Sequence, residues 1–464
     1  MNKKILLPFL SLLFLWGCSG SKENPLPVIE ADYVFQNVHV LTMEDENVLE
    51  NYSVVVMGGK IIRMGPADSI RVSDSTVLID GKGKYLMPGI AEMHAHIPVP
   101  DEDDELLKET LFLYLSNGVT TIRGMLGAPF HLELKEKVLS GEISGPRIFT
   151  SGPSLNGNTV QSIQEARQKV IEQKQAGYDF LKLHPGLTME NFNEIDRIAD
   201  SVGISFSGHV SIYVGINRAL EARYASIDHM DSYVEGLVPS EEGVKPEDNG
   251  FFGINFTSLA DESRIAALAE KTAVEGVWIV PTQCLLERWT GPADPKELIS
   301  QPEMKYMAPG TRYAWVTNKQ RFQADETYTK ENAAEFIALR KKILLALYEK
   351  GANFLLGSDA PQVFNVPGFS LQHEMKAMTS VGLTPYDVLA SGTKNPARFF
   401  GREGDFGIVR EGADADLILL ANNPLEDIAH MENNEGVMYR GTWLSKEYIQ
   451  GRLQEIEAKY NTSE

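Results

Sequence analysis

The chain has 464 residues, of which 43% are hydrophobic and 23% charged, and its formal net charge is −21. A chain of this length favours one large domain with a smaller one rather than a single small core. The strong negative charge argues against nucleic acid as a partner and against electrostatic binding to anionic membranes.

The N-terminus predicts an exported, lipid-anchored protein. Lys3 and Lys4 precede a short apolar run that ends in LWGCSG. A basic stretch followed by such a run is typical of a signal peptide, here 1–17. The ending resembles a bacterial lipobox with Cys18 as the lipidated residue, although Trp16 is bulkier than usual. We expect a tether over 18–30, membrane contact through the lipid only, and a place in the bacterial cell envelope. The alternative is a plain signal peptide with an incidental cysteine.

The remaining cysteine is Cys284, in the apolar run VWIVPTQCLL. With Cys18 acylated, no internal disulfide can form. No cysteine pair is available for a metal, so histidine, carboxylate or a less usual group must bind any ion.

Both ends of the remaining chain have the sequence pattern of short β-strands. Residues 31–88 contain short apolar or alternating runs between Gly, Asn and Asp, and 403–450 return to the same pattern. The simplest arrangement is one discontinuous β-sandwich domain made from both segments. A polar, helical tail is expected over 451–464.

The middle of the chain, 89–402, alternates strands with helices, which favours an α/β fold. Eight strands are predicted: 89–96, 119–123, 147–151, 179–184, 204–209, 225–229, 277–282 and 353–358. Eight such units predict a (β/α)8 TIM barrel inserted into the β-sandwich. Long polar stretches at 236–258 and 286–329 follow the sixth and seventh strands and are expected to form functional lids.

Polar residues recur where these strands end, which is the edge where such barrels build active sites. The six residues are His94, His96, Lys182, His209, His229 and Asp359. Residues two apart in a strand share a face, so His94 and His96 point the same way. Converging neutral imidazoles are suited to bind a metal ion.

Lys182 is the informative member because its strand, YDFLKLH, should be buried. A buried ammonium is costly and loses its proton readily. The free amine can add CO₂ and become a carbamate, an anionic ligand able to bridge two metals. The alternative is an ion pair between Lys182 and Asp359 or Asp179.

Together these motifs resemble the amidohydrolase superfamily, and more narrowly its imidazolonepropionase-like and Xaa-Pro dipeptidase-like (prolidase-type) branch. The stretches that carry the resemblance are LMPGIAEMHAH, YDFLKLH, SGHV, SIDHM, LLGSDAP and GIVREGADADLILLANNPLEDI.

This resemblance implies two divalent ions, with zinc favoured although manganese, cobalt or iron suit the ligands. His94, His96 and Asp359 would bind one ion and His209 and His229 the other. Carboxylated Lys182 would bridge them. It also implies that a hydroxide bridging the ions attacks the substrate and that Asp359 acts as general base.

The chain departs from that branch at two places. Many relatives carry Arg-Asp after the second strand, where this chain has Arg123 and Gly124. Many carry Gly-Gly-His after the third strand, where this chain has LNGNTV. Tyr233 is a candidate hydrogen-bond donor to a substrate carbonyl, or else a loop tyrosine without a role. His184 is interpreted as a loop residue or a neighbour of the ligands.

The predicted activity is metal-dependent hydrolysis of amide C–N bonds other than those of ordinary proteins. Small peptides or N-acyl amino acids are the expected small-molecule substrates. A lactonase or esterase on the same centre and a non-catalytic ligand-binding surface lipoprotein are the alternatives. A deaminase is less favoured, because that branch usually has one metal and no bridging lysine. No pattern in the sequence specifies an oligomeric state.

Overall fold

The computed structural model describes residues 26–101 and 103–461. The predicted signal peptide, Cys18 and the tether up to residue 25 lie outside these residues. Within the described part of the chain, no helix combines the length and apolarity needed to cross a membrane.

The N-terminal strands form one side of a β domain. They are β1 (Val28–Ile29), β2 (Tyr33–Leu41), β3 (Val48–Met57), β4 (Lys60–Pro66), β5 (Arg71–Val72), β6 (Val77–Asp80) and β7 (Tyr85–Pro88). Strands β2, β3 and β4 are antiparallel, and β6 and β7 run parallel to β2. Gly58 and Gly59 connect β3 to β4 with φ of 58° and 73°, as a tight hairpin turn requires.

The eight strands predicted for the barrel are all present. They are β8 (Ile90–Ala95), β9 (Val119–Gly124), β10 (Arg147–Thr150), β11 (Leu181–Leu183), β12 (Phe206–Gly208), β13 (Ser226–Asp228), β14 (Trp278–Val280) and β15 (Asn353–Phe354). All pair in parallel, in one sheet ordered β10-β9-β8 and another ordered β11 to β15. Single parallel bridges, Ser151 to Phe180 and Ala95 to Ala360, link the two sheets at both junctions. This is the strand order of an eight-stranded barrel.

Helices follow the barrel strands and cover them. They are α1 (Glu105–Ser116), α2 (Phe130–Ser140), α3 (Ile163–Ala176), α4 (Met189–Val202), α5 (Gly215–Glu221), α6 (Tyr233–Gly236), α7 (Ile265–Glu275), α8 (Gln283–Trp289), α9 (Pro295–Ile299), α10 (Pro309–Gln323), α11 (Lys330–Glu349), α12 (Phe369–Val381), α13 (Pro385–Gly392) and α14 (Lys394–Phe399). Ser162 and Thr188 cap α3 and α4 by accepting backbone N–H groups, and Gly177 and Gly203 end them in left-handed conformations. Local sequence therefore fixes where these helices begin and end.

The C-terminal strands complete the β domain. They are β16 (Leu417–Leu420), β17 (Asn434–Tyr439) and β18 (Thr442–Ser445), and α15 (Lys446–Asn461) follows. Strand β16 pairs antiparallel with β7, with Leu417 opposite Pro88. One sheet therefore runs β18-β17-β16-β7-β2-β3-β4, with β6 alongside β2. The predicted fold class is confirmed: a barrel-type α/β unit is inserted into a discontinuous β domain.

Candidate metal centre

The structure brings the four predicted histidine ligands together along one rim. Each lies at the C-terminal end of a barrel strand or immediately after it. The ring centroids of His96 and His94 are 5.6 Å apart, those of His94 and His229 4.6 Å, and those of His229 and His209 4.5 Å. The imidazoles therefore form a continuous row.

Asp359 joins this row at the end formed by strand β8. Its Oδ1 lies 2.6 Å from His96 Nε2 and 3.5 Å from His94 Nε2. Among the described residues, His94, His96 and Asp359 are a group whose ligand atoms all lie within 4.8 Å of one another, close enough to hold one metal ion. Two imidazoles and a carboxylate are a donor set that suits zinc and other divalent ions.

Lys182 ends in the interior beside this group, and its side chain is fully buried. Its Nζ is 3.6 Å from Asp228 Oδ2, and no hydrogen-bond partner for it lies within the described residues. Burial lowers the pKa of this amine, although Asp228 and Asp359 act in the opposite direction. An unpartnered buried amine fits a group that becomes a bridging anion.

Neither carboxylate predicted as an ion-pair partner of Lys182, Asp359 or Asp179, lies within 4 Å of its Nζ in the structure. Asp179 instead binds Lys135, with 2.7 Å between Nζ and Oδ1. The nearest carboxylate to Lys182 is that of Asp228, which was not among the predicted site residues. The signal for it was present: an acidic residue directly before His229 in a short strand that should be buried.

Asp228 is held by a buried arginine from across the barrel. Arg123 donates from one terminal nitrogen to Asp228 Oδ1 at 3.1 Å, from the other to Ser226 Oγ at 2.9 Å, and from Nε to the Met93 carbonyl at 2.6 Å. Burial alone would raise the pKa of Asp228, but the Arg123 guanidinium and the Lys182 amine outweigh it and lower that pKa. Asp228 is therefore ionised beneath Lys182.

Hydrogen bonds fix the orientation of the other two histidines. His209 Nδ1 lies 2.6 Å from Asp231 Oδ2, and His229 Nδ1 lies 2.8 Å from Thr282 Oγ1. In each ring this leaves Nε2 available to bind a metal ion, as in most protein metal sites. His184 stacks on His209 with 4.7 Å between ring centroids, which agrees with its predicted place beside the ligands.

The backbone is strained at two of the predicted ligands. His229 and Asp359 have φ of 61° and 64°, in the left-handed region that non-glycine residues rarely adopt. Each costs about 1–2 kcal/mol and persists only where the surroundings enforce it. Glu92 provides part of this support near Asp359, because its carboxyl oxygens accept from Ser358 N at 2.8 Å and Ser358 Oγ at 2.6 Å. Strain of this kind concentrates at functional sites.

The hydroxyl of Tyr233 is already engaged inside the fold. Its ring is buried, and its hydroxyl shares a 2.8 Å hydrogen bond with Thr272 Oγ1 of α7. This placement does not fit the predicted role as a donor to a substrate carbonyl.

The model of the amidohydrolase family matches residues 85–444, which include every predicted ligand. The chain belongs to the amidohydrolase family. Members of this family typically bind divalent metals, in agreement with the His-His-Asp group.

Individual relatives of this amidohydrolase carry different names. It is 24% identical over 412 residues to adenine deaminase 3 of Rhizobium johnstonii, covering 85% of this chain and 55% of that relative. The chain thus spans about half the length of the curated deaminase. A solved structure of bottromycin amidohydrolase covers 92% of this chain and 90% of its own, with a TM-score of 0.70 and 21% identity. A Xaa-Pro dipeptidase with bound methionine covers 89% and 99%, with a TM-score of 0.65 and 18% identity. At these identities the solved structures establish the fold.

Proposed function

We propose that this amidohydrolase hydrolyses amide C–N bonds in small peptides or N-acyl amino acids. Two divalent cations, with zinc favoured, would be held by His94, His96, His209, His229 and Asp359. The observation that carries the proposal is the fully buried Lys182 amine, which has no hydrogen-bond partner among the described residues and lies beside the histidine row.

Lys182 would supply the bridging ligand as a carbamate. The neutral amine attacks CO₂, a bond forms between Nζ and the carbon, and the displaced proton leaves to solvent. The amine is suited to this step because burial lowers its pKa. Asp228, 3.6 Å away, accepts hydrogen bonds from Arg123 and Ser226 through Oδ1. These bonds keep the carboxylate in place while the lysine changes its charge.

The chain's own residues would hold the histidine rings in position and transfer the protons. The bound cations would supply an acidified water and a polarised substrate carbonyl. Asp359 would accept a proton from the attacking water and deliver it to the leaving amine. Asp231 and Thr282 hold the rings of His209 and His229 through Nδ1, so that both rings keep their direction during turnover.

Deamination is the second candidate, because the curated relatives include adenine deaminases. It also breaks a C–N bond, but the nitrogen that leaves as ammonia is an amino group carried by an aromatic ring. A bridging lysine favours the amide reaction. Ester or lactone hydrolysis and metal binding without turnover remain the other outcomes of the test.

The test is metal titration of the stripped protein with a panel of N-acyl amino acids, dipeptides, lactones and adenine. We expect amide hydrolysis that reaches its maximum at two ions per chain. Asp359→Asn should lower kcat by about 10³-fold even at saturating metal, the scale of a lost general base. Stoichiometric metal without turnover of any compound would support the binding protein instead.

Lys182→Ala tests the bridge itself. This variant should lose an ion and most of its activity, and a short carboxylate such as propionate should restore part of both. Lys341→Ala is the matched control, since that side chain is 39% exposed and paired with Glu287. Full activity of Lys182→Ala without added carboxylate would contradict the carbamate.

We also propose that the protein is anchored to the bacterial cell envelope through a lipid on Cys18. The basic and apolar N-terminal sequence before Cys18 supports this. Labelling with a palmitate analogue should mark the wild type and not Cys18→Ser, and the variant should leave the membrane fraction. Equal labelling of both proteins would contradict the anchor.

A further inference from the structure

The ring of Phe252 lies against the two histidines assigned to the second cation. Its centroid is 5.3 Å from that of His229, with the planes at 66°, and 5.9 Å from that of His209, at 31°. Phe252 belongs to the 3₁₀ segment Phe251–Leu259, within the long connection between β13 and α7. It is half-buried, so part of the ring remains open beside the rim.

The chain holds Phe252 there in an unfavourable backbone conformation. Its φ and ψ are 56° and 29°, a left-handed geometry that is unusual for a bulky residue. Asn249 anchors the segment by donating from Nδ2 to Glu235 Oε1 at 2.7 Å, and Asn255 N donates to the Asn249 carbonyl at 3.0 Å. Gly253 lies so close to Glu235 that an added Cβ would be 2.9 Å from its carboxylate. The ring is therefore fixed against the histidines.

More aromatic side chains continue this surface away from the rim. Phe251 contacts Phe252 with 4.5 Å between centroids, Trp289 at 4.8 Å and Phe322 at 5.9 Å. Phe251, Trp289 and Phe322 also line a cavity of about 520 Å³, whose other lining residues include Arg321 and Asp325 but not Phe252. All four rings are half-buried. A partly open apolar surface beside a catalytic rim is typical of a substrate pocket.

We infer that this aromatic wall, made of Phe251, Phe252, Trp289 and Phe322, selects amides with an aromatic or bulky apolar side chain. Phe252 is the specificity-determining residue, since it alone of the four contacts the histidine row. An aromatic group placed against it gains burial and ring contacts. A charged group placed against the Phe252 ring would lose part of its hydration to an apolar surface. The inference rests on the proposed amide hydrolysis and names its substrate class.

The experiment replaces the ring and keeps the loop. Asn tolerates the left-handed conformation better than other residues with a side chain, so Phe252→Asn removes the ring at low backbone cost. We compare kcat/KM for N-acetyl-L-phenylalanine and N-acetyl-L-alanine in the zinc-loaded proteins. The wild type should prefer the aromatic substrate, and the variant should lose at least about tenfold of that preference, mostly through KM. Its metal content should stay at the wild-type value.

Tyr313→Asn is the matched control, because that ring is 75% exposed on α10. It should leave the preference unchanged. An unaltered preference in Phe252→Asn with normal metal content would overturn the inference, as would a wild type that prefers N-acetyl-L-aspartate.

A binding measurement separates this inference from the proposed function. If the wild type hydrolyses no amide, the proposed function is wrong. The specificity of the aromatic wall is then tested by binding affinity alone. N-acetyl-L-phenylalaninamide should then bind more tightly than N-acetyl-L-alaninamide to the wild type, and equally to Phe252→Asn, as measured by calorimetry. Equal affinities in the wild type would overturn the inference.

Discussion

The ion pair between Arg123 and Asp228 connects opposite sides of the barrel interior, and both side chains are fully buried. Replacing Arg123 by Met keeps most of the volume but leaves the Asp228 carboxylate without its cation. Removing one partner of a buried pair costs about 3–5 kcal/mol. We therefore expect Arg123→Met to lower the free energy of unfolding by that amount in urea titrations.

Two further variants show whether the loss arises from the pair. Arg123→Met combined with Asp228→Asn should recover much of the loss, because the carboxylate that lost its guanidinium partner is then replaced by a neutral amide. Arg63→Met should change stability by less than about 0.5 kcal/mol, since Arg63 is 59% exposed and 3.5 Å from Glu411. Additive effects of the two buried substitutions would contradict the coupling.

The convergence of the candidate ligands was predictable from sequence, and the side chains that support them were not. His94 and His96 follow from the two-residue period of a strand, and their meeting with Asp359 follows from barrel topology. Arg123 was noted only as the residue before Gly124, where many relatives carry Asp, because its contact with Asp228 spans 105 residues. The contact of Tyr233 with Thr272 was not predictable either, because the chain turns sharply after His229, where Met230 has φ of 50°, and no local pattern announces that turn.

At the scale of elements, the end of β12 leaves room for the lysine. Gly208 has φ of 121°, and a Cβ there would lie 2.5 Å from the Leu183 carbonyl oxygen and 2.7 Å from Lys182 Cδ. We expect Gly208→Ala to displace the Lys182 chain, so that metal content per chain falls and stability drops by about 1–3 kcal/mol. Inductively coupled plasma mass spectrometry and thermal melts measure both quantities.

Gly203→Ala separates crowding from backbone strain. Gly203 also has positive φ, 65°, but nothing lies within 4 Å of its Cβ position. This control should cost about 1 kcal/mol and leave the metal content intact. Equal metal content in both alanine variants would count against the steric role of Gly208.

The segment that carries Phe252 should respond to pH through Glu235. Burial, with Asp231 nearby, raises the pKa of this carboxyl from 4.5 to about 7. The folded protein keeps the proton to about pH 7 while the unfolded chain releases it near 4.5, so this group makes the free energy of unfolding fall as pH rises through that window.

Glu235→Gln keeps an acceptor for Asn249 and removes the ionisation. The variant should gain up to about 3 kcal/mol over the wild type at pH 8, and less than about 1 kcal/mol at pH 5. Urea titrations at the two pH values measure the difference. A gain of equal size at both pH values would contradict the assignment to Glu235.

Regular elements were easier to predict than the connections between them. The strands follow from local apolar patterns, and the helix ends follow from Thr or Ser at the start and Gly after the end. The structure has all eight predicted barrel strands. The polar stretch 236–258 gave no period, yet it folds into short 3₁₀ segments such as Ser240–Glu242 and Pro246–Asp248. Their positions depend on tertiary contacts, such as Asn249 with Glu235, which no window of sequence contains.

For the whole molecule, the sequence predicted that the two β segments join but not how the β domain attaches to the barrel. One attachment is Arg147, the first residue of β10. It donates to Asp414 Oδ2 at 2.7 Å and Asp416 Oδ2 at 2.9 Å, and its guanidinium lies 4.7 Å from the Phe406 ring centroid. Asp416 is 3% exposed, and burial raises its pKa although Arg147 opposes the effect.

Arg147→Met should therefore weaken the junction in a pH-dependent way. Ionised Asp416 would lose a cationic partner, and we expect a loss of about 2–4 kcal/mol at pH 7. The loss should shrink at pH 4, where protonation removes the unpaired charge. Differential scanning calorimetry should show earlier unfolding, with the β domain and the barrel melting less cooperatively than in the wild type.

The candidate metal centre should be unaffected by this change, because Arg147 begins its strand and the predicted ligands lie where the strands end. Metal content and kcat/KM at 25 °C should stay within about twofold of the wild type. The substitution removes a contact that stabilises the fold and no contact to the transition state. The exposed Lys60, which also pairs with Asp414 at 2.6 Å, gives the control: Lys60→Met should cost less than about 1 kcal/mol. A loss for Arg147→Met that is larger at pH 4 than at pH 7 would show that the carboxylate of Asp416 does not control the junction.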